Sequence, residues 1–201
     1  MTHPGCFVAL ESLDGVGKTT LVHSLAKALH AVAMATPGPL LRPFMDSLLE
    51  LVGDNQTARA ALYASTVLRE GSVARAQAAQ GRWVVMDRYW LSTLAYARAR
   101  GLTDDLSRLE ASVCPPDVTL VLTLEENERV RRLRERSTFT SADAETLDPR
   151  FRDMVMQEML DPRRAERFGV ITLDVTGLDP AQVTAAAVQL LFEWRQLKSA
   201  A

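Results

Sequence analysis

Five short apolar runs recur along the chain, at residues 6–10 (CFVAL), 31–35 (AVAMA), 83–86 (WVVM), 118–124 (VTLVLTL) and 170–173 (VITL). Each has strand length, and most carry β-branched residues. Between them the pattern predicts helices over 18–30, about 40–52, 57–80, 91–100, 127–136 and 180–197. Strands alternating with helices predict an α/β fold with a five-stranded parallel sheet and helices on both faces. Two stretches fall outside that scheme. Residues 36–43 hold three prolines and read as a loop. Residues 137–149 are polar and read either as a mobile segment over a site or as a surface loop.

The first run leads into ALESLDGVGKTT, residues 9–20. This matches the phosphate-loop pattern G-x-x-x-x-G-K-[ST] except at its first position, where Ser12 stands. A strand precedes the loop and a helix follows it. In that setting Gly15 and Gly17 let the main chain curl toward a phosphate without a Cβ clash. The amides at the helix start and the helix dipole attract an anion. Lys18 would reach the β- and γ-phosphates, and the Thr19 hydroxyl would ligate Mg²⁺. Ser12 falls where the chain leaves the sheet, a position that tolerates a side chain if φ is negative. The candidate nucleotide-binding set is Ser12, Asp14, Gly15, Val16, Gly17, Lys18, Thr19 and Thr20. The alternative is a glycine-rich turn followed by a surface lysine.

A second anchor narrows the class. The third run ends in Asp87, as a Walker B strand does, and continues with Arg88-Tyr89. The glutamate of a hydrolytic ATPase does not follow, and no N-K-x-D appears to read guanine. FVALESLDGVGKTT, WVVMDRYWLSTLAYA, PDVTLVLTLEENERVRRLRER and ITLDVTGLDPAQV occur in that order. Together they resemble the thymidylate kinase family over most of the chain, and DRYWLSTLAYA is the most specific piece.

The resemblance implies a single P-loop nucleoside monophosphate kinase domain over residues 1–201, with an arginine-rich lid at about 132–150. It implies transfer of the γ-phosphoryl of ATP to a monophosphate, with Mg²⁺ held by Thr19 and Asp87. The acceptor phosphate is already an anion, its second pKa being about 6, so the chemistry asks for cations and alignment rather than a base. Lys18 and Arg88 supply two cations. Val16 occupies the loop position that is basic in part of the family, so the lid is expected to provide the catalytic arginine, from Arg132 and Arg136. By helical phase Arg129, Arg132 and Arg136 share one face of the 127–136 stretch, with Val130 and Leu133 toward the core. Taken alone, such a basic run also reads as a solvated face.

On the acceptor side the resemblance places Asp14 near the sugar 3′-hydroxyl, Tyr96 against the 2′ position, and Ser92 and Thr93 toward the base edge. Three positions depart from the family. The arginine of an R-E-P-G-G-like loop is missing, and Arg42 is its candidate replacement. Counting back from Asp87, the phenylalanine that stacks on thymine becomes Leu62, and the base-reading arginine becomes Thr66, with Tyr63 or Arg69 as neighbouring substitutes. The usual glycine after Arg136 is absent. A dTMP-kinase-like activity with altered base specificity, toward a modified pyrimidine nucleotide, is therefore expected. The rivals are a kinase of a nucleoside or other small-molecule hydroxyl, with Asp87 or Asp14 as base, and a nucleotide-binding regulatory protein without catalysis.

Composition adds bounds. The 201 residues carry a formal net charge of −2, so no global basic field recruits nucleic acid. Cys6 and Cys114 form neither a disulfide framework nor a zinc site and suit a reducing cytosol. No apolar run approaches the ~18 residues of a membrane span, and the start lacks a secretory signal, so a cytoplasmic protein is expected. The family resemblance further implies a homodimer, with 57–80 as the candidate interface.

Overall fold

The computed structural model describes residues 5–136 and 140–200. Five strands, β1 (Cys6–Glu11), β2 (Val32–Ala35), β3 (Trp83–Asp87), β4 (Val118–Thr123) and β5 (Val170–Asp174), form one parallel sheet. Their order is β2-β3-β1-β4-β5. Central β1 is buried at all six positions, with Ala9 opposite Met86 on one side and Thr119 on the other. Burial on both faces explains why its sequence is a continuous apolar run rather than an alternating one.

Among the described residues the helices are α1 (Lys18–Ala28), α2 (Met45–Val52), α3 (Gln56–Ala79), α4 (Trp90–Ala99), α5 (Ser107–Ala111), α6 (Glu126–Arg134), α7 (Ser141–Glu145), α8 (Pro149–Met159), α9 (Pro162–Phe168) and α10 (Pro180–Ala200). From β1 the chain crosses through α1 to β2, two places away in one direction. From β3 it crosses to β4, two places away in the other. Right-handed crossovers put the helices of such opposed connections on opposite faces. Accordingly α1 packs on α10, while α4 packs on α3 and α8. The connections diverge between neighbouring β1 and β3, and a crevice opens at the carboxyl ends of those strands, as this topology dictates. No helix among the described residues is long and apolar enough to cross a membrane.

Several expectations shift. The helix expected over 40–52 begins only at Met45, because Pro43 sits in a 3-10 turn spanning Arg42–Phe44. The first helix stops at Ala28 rather than 30, since His30 takes a positive φ of 50°. Of the segment 137–149, residues 137–139 lie outside the described residues, and the rest contains α7 and the start of α8. Sequence reading missed α8 and α9, although both carry an N-terminal signature. Asp148 and Asp161 accept from the amides two residues on, and a proline follows each.

Candidate active site

The loop after β1 curls through two left-handed glycines, Gly15 (φ 91°) and Gly17 (φ 100°). A Cβ on Gly15 would fall 2.8 Å from Leu133 Cγ and 3.1 Å from Arg129 Cγ, so this glycine lets α6 close on the loop. Gly17 caps α1 without a side chain, which leaves the first-turn amides of that helix for an anion. Ser12 is fully buried, and its hydroxyl donates to the Leu13 carbonyl at 2.8 Å. Val16 is buried too, and its carbonyl accepts from Arg132 Nη1 at 3.2 Å. Neither the Ser12 nor the Val16 side chain lines the cleft that the loop borders, whereas Asp14, Gly15, Gly17, Lys18, Thr19 and Thr20 do.

Two charge pairs stand side by side in that cleft. The Lys18 ammonium lies 2.7 Å from Asp87, and the Thr19 hydroxyl donates to the other Asp87 oxygen at 2.8 Å. Burial and neighbouring Arg88 push Lys18 below the ordinary lysine value, against the pull of Asp87 and Asp14. Burial pushes Asp87 up, but Lys18, Thr19 and Arg88 more than offset it and hold the carboxyl below its usual range. In the second pair Arg88 binds Asp14, which also accepts from the Tyr96 hydroxyl at 3.1 Å. Burial works against the Asp14 carboxylate, and Arg88, Lys18 and the Tyr96 bond overcome it, so Asp14 too stays low. The Arg88 and Arg100 guanidinium carbons lie 5.5 and 5.4 Å from the Tyr96 ring centre.

Arg88 adopts a left-handed φ of 62°, a conformation costing a non-glycine residue about 1–2 kcal/mol. Its amide donates to the Leu10 carbonyl at 3.1 Å, and its carbonyl accepts from Thr36 Oγ1 at 2.9 Å. Beneath it, Glu11 Oε1 accepts from the Tyr89 and Ser92 amides at 3.0 and 3.1 Å and so caps α4, while Oε2 has no partner. Burial raises the Glu11 pKa.

Thr19 and Asp87 offer a hydroxyl and a carboxylate on one spot, both hard oxygen donors. No group of three or more His, Cys, Asp or Glu able to hold a metal occurs among the described residues. A small protein donor set of this kind fits Mg²⁺, which takes one or two protein ligands and completes its shell with phosphates and water.

The cleft encloses about 610 Å³. Its wall from α3 consists of Gln56, Arg59, Ala60 and Tyr63, spaced as one helical face. Leu62 and Thr66, the positions expected at the base, do not line it. Leu62 is half-buried, and Thr66 is buried with its hydroxyl on the Tyr63 carbonyl. Arg69 is outside the cleft and pairs with Glu70. Arg59 went unnoticed in the sequence. Its Nη1 donates to the Gly53 carbonyl at 3.1 Å, and its Nε is buried without a partner. Arg42 lines the cleft and donates to the Pro37 carbonyl at 3.3 Å. Ser92 and Thr93 line it as well, with hydroxyls turned onto the Tyr89 carbonyl. Of the expected lid arginines, Arg136 reaches the cleft and lies 3.4 Å from Asp143. Arg132 pairs with Glu128 beside the loop, outside the cleft lining. Arg129 is buried, whereas Arg131 and Arg134 of the basic run are exposed.

Cations gathered around a helix-start anion cradle, at the switch point of a parallel sheet, define a P-loop phosphotransferase. Comparison with known proteins is more specific. The family model for thymidylate kinase matches residues 10–178. A thymidylate kinase of Cereibacter sphaeroides is 35% identical, covering 93% of this chain and 94% of its own length. One from Rhizorhabdus wittichii is 32% identical, over 94% and 97%. The solved thymidylate kinase of Candida albicans shares the fold at a TM-score of 0.73 and 21% identity, covering 94% of this chain and 92% of that one. The chain belongs to the thymidylate kinase family of nucleoside monophosphate kinases.

Proposed function

We propose that the protein transfers the γ-phosphoryl group of ATP to dTMP or a closely related pyrimidine deoxynucleotide, with a base preference altered from that of its relatives. The observation that carries the phosphoryl-transfer reading is the adjacency of two cation centres, Lys18–Asp87 and Arg88–Asp14, at the ends of β3 and β1. One serves the donor phosphates and the other the acceptor. Lys18 exchanges Asp87 for the β- and γ-phosphates. Arg88 turns its planar fork to the acceptor phosphate. Asp14 meets the sugar hydroxyl, and Tyr96 crowds its 2′ position. Thr19 and Asp87 would hold Mg²⁺, which when bound neutralises charge between the donor phosphates. Arg136 reaches into the cleft from the lid and supplies a further cation to the charge that develops on the transferring group, with Arg132 steadying the loop through the Val16 carbonyl.

The altered preference is supported by the α3 wall. Tyr63 supplies an aromatic face, and Gln56 and Arg59 bring hydrogen-bond donors. A pocket with polar groups discriminates by leaving them unpaired against the wrong base. Assembly as a homodimer belongs to the same proposal and rests on the family resemblance; sedimentation velocity tests it.

The decisive experiment measures ADP release with ATP and Mg²⁺ against dTMP, dUMP, 5-hydroxymethyl-dUMP, dCMP and the corresponding nucleosides. Turnover of a monophosphate and none of the nucleosides is expected, with a modified pyrimidine nucleotide matching or exceeding dTMP in kcat/KM. A clear preference for dTMP removes the altered specificity. Tight ATP binding without transfer to any acceptor overturns the catalytic reading.

A further inference from the structure

Arg129 lies on α6 and is 1% exposed. A guanidinium so buried must have its donors matched, because an uncompensated charge there is strongly unfavourable. They are matched by three separate segments. Nε and Nη2 bind the two oxygens of Glu126 at 2.8 Å each, a planar fork onto a carboxylate. Nη1 donates to the main-chain carbonyl of Asp14, in the phosphate loop, at 3.0 Å. Nη1 and Nη2 also donate to the hydroxyl and carbonyl of Thr146, beyond α7, at 3.1 and 2.7 Å.

Both ends of this bridge lead to groups that face the cleft. Asp14 carries the Arg88 pair and the Tyr96 hydroxyl bond on its carboxylate. Thr146 is fully buried and donates its hydroxyl to the Asp143 carbonyl at 2.9 Å, and the Asp143 carboxylate lies 3.4 Å from Arg136. One guanidinium thus stands between the loop that holds Arg88's partner and the segment that holds Arg136's partner. The absence of a Cβ at Gly15 is what lets it approach, since that atom would lie 3.1 Å from Arg129 Cγ.

We infer that Arg129 is a positioning residue that locks the phosphate loop to the lid, so that nucleotide binding at the loop sets the placement of Arg136. It touches no reacting group and acts through the Asp14 carbonyl and through Thr146 and Asp143. The inference rests on the proposed function only for its kinetic consequence, and its structural consequence is measured separately.

Misplacement of aligned groups by about 1 Å costs on the order of 100-fold in rate. Arg129→Ala is therefore expected to lower kcat roughly 10- to 100-fold while leaving KM for ATP within about threefold, since the phosphate-contacting amides, Lys18 and Thr19 remain. Arg129→Lys, with a single ammonium that cannot span Glu126, Asp14 and Thr146 together, is expected to recover thermal stability but not kcat. Independently of turnover, hydrogen exchange of the holo and nucleotide-free protein follows residues 140–148 with ADP and Mg²⁺ as probe. In the unsubstituted protein, ADP slows exchange both at the loop and in this segment. In Arg129→Ala the loop protection remains and the segment's ADP-dependent protection is lost. If Arg129→Ala does not fold, Thr146→Val, which removes the hydroxyl's bonds to Arg129 and to the Asp143 carbonyl, is expected to reduce both kcat and the ADP-dependent protection severalfold. An unchanged kcat in a folded variant, or equal ADP-dependent protection of residues 140–148 with and without the bridge, overturns the inference. Absence of turnover in the unsubstituted protein would sink the proposed function alone, because the exchange experiment still reads the coupling.

Discussion

Replacing Asp87 with Asn removes the counter-ion of Lys18 while keeping the shape of the side chain. The two groups are 2.7 Å apart and only 6% and 14% exposed. At an effective dielectric of ~20 their attraction is about 6 kcal/mol. Desolvation of each ion offsets several kcal/mol of this, so the pair adds little to stability relative to an apolar replacement. Deleting one partner is a different matter, because it strands a buried ammonium, and such deletions cost about 3–5 kcal/mol. Taking the lower value, since Asn still accepts one hydrogen bond, the melting temperature of a domain of this size falls by about 6–12 °C. The assay is calorimetry of the nucleotide-free protein at pH 7, with Lys18→Met and the double variant completing a cycle. The carboxyl is held below its ordinary value of 3.8. Its stabilisation is therefore complete above the unfolded pKa and disappears as pH falls through the folded one. The gap between Asp87→Asn and the unsubstituted protein must narrow below about pH 4. A loss under ~2 °C, or a coupling energy under ~0.5 kcal/mol, would show that the pair does not hold the loop to β3.

Two further predictions test the packing and the buried acid. Gly71 is a glycine in mid-helix because the Tyr89 hydroxyl occupies the place of its Cβ, on its way to the Cys114 carbonyl at 2.8 Å. Gly71→Ala should therefore destabilise by about 1–3 kcal/mol through overpacking, despite a helix-propensity gain of about 1 kcal/mol; a melting temperature at or above the original contradicts this. Glu11 titrates in the opposite sense to Asp87, because its folded pKa is raised above 4.5. Its contribution is full below the unfolded value and is lost as pH rises through the folded one. The melting temperature of Glu11→Gln relative to the unsubstituted protein should then climb between pH 4 and pH 8, and a pH-independent difference refutes the raised pKa.

The phosphate end of the site was legible because its chemistry is local. Loop, lysine and hydroxyl are consecutive, and Asp87-Arg88 directly ends a strand. The base end was not, because it depends on helical phase. Counting from Asp87 pointed to Leu62 and Thr66, and an error of one residue rotates a side chain by about 100°. The small-residue stripe Ala60, Ala64, Val67, Gly71, Ala74 and Ala78 is the buried face. Phased on that stripe, Gln56, Arg59 and Tyr63 come to the cleft. Arg129 was beyond any local reading. It sits in a run whose Arg131 and Arg134 face solvent, and its acceptors at positions 14 and 146 are brought to it only by the closed fold.

The division within α3 has an evolutionary consequence. Its first two turns face the cleft, whereas most of its buried residues lie further along, against β3 and α4. On the proposed function, substitutions at Gln56, Arg59 or Tyr63 would change which base is accepted without disturbing the stripe that anchors the helix. They also leave untouched the residues at the ends of β1 and β3. On that reading a lineage, or a library randomised at those three positions, would explore new acceptors at small cost in folding, while the transfer chemistry is inherited unchanged.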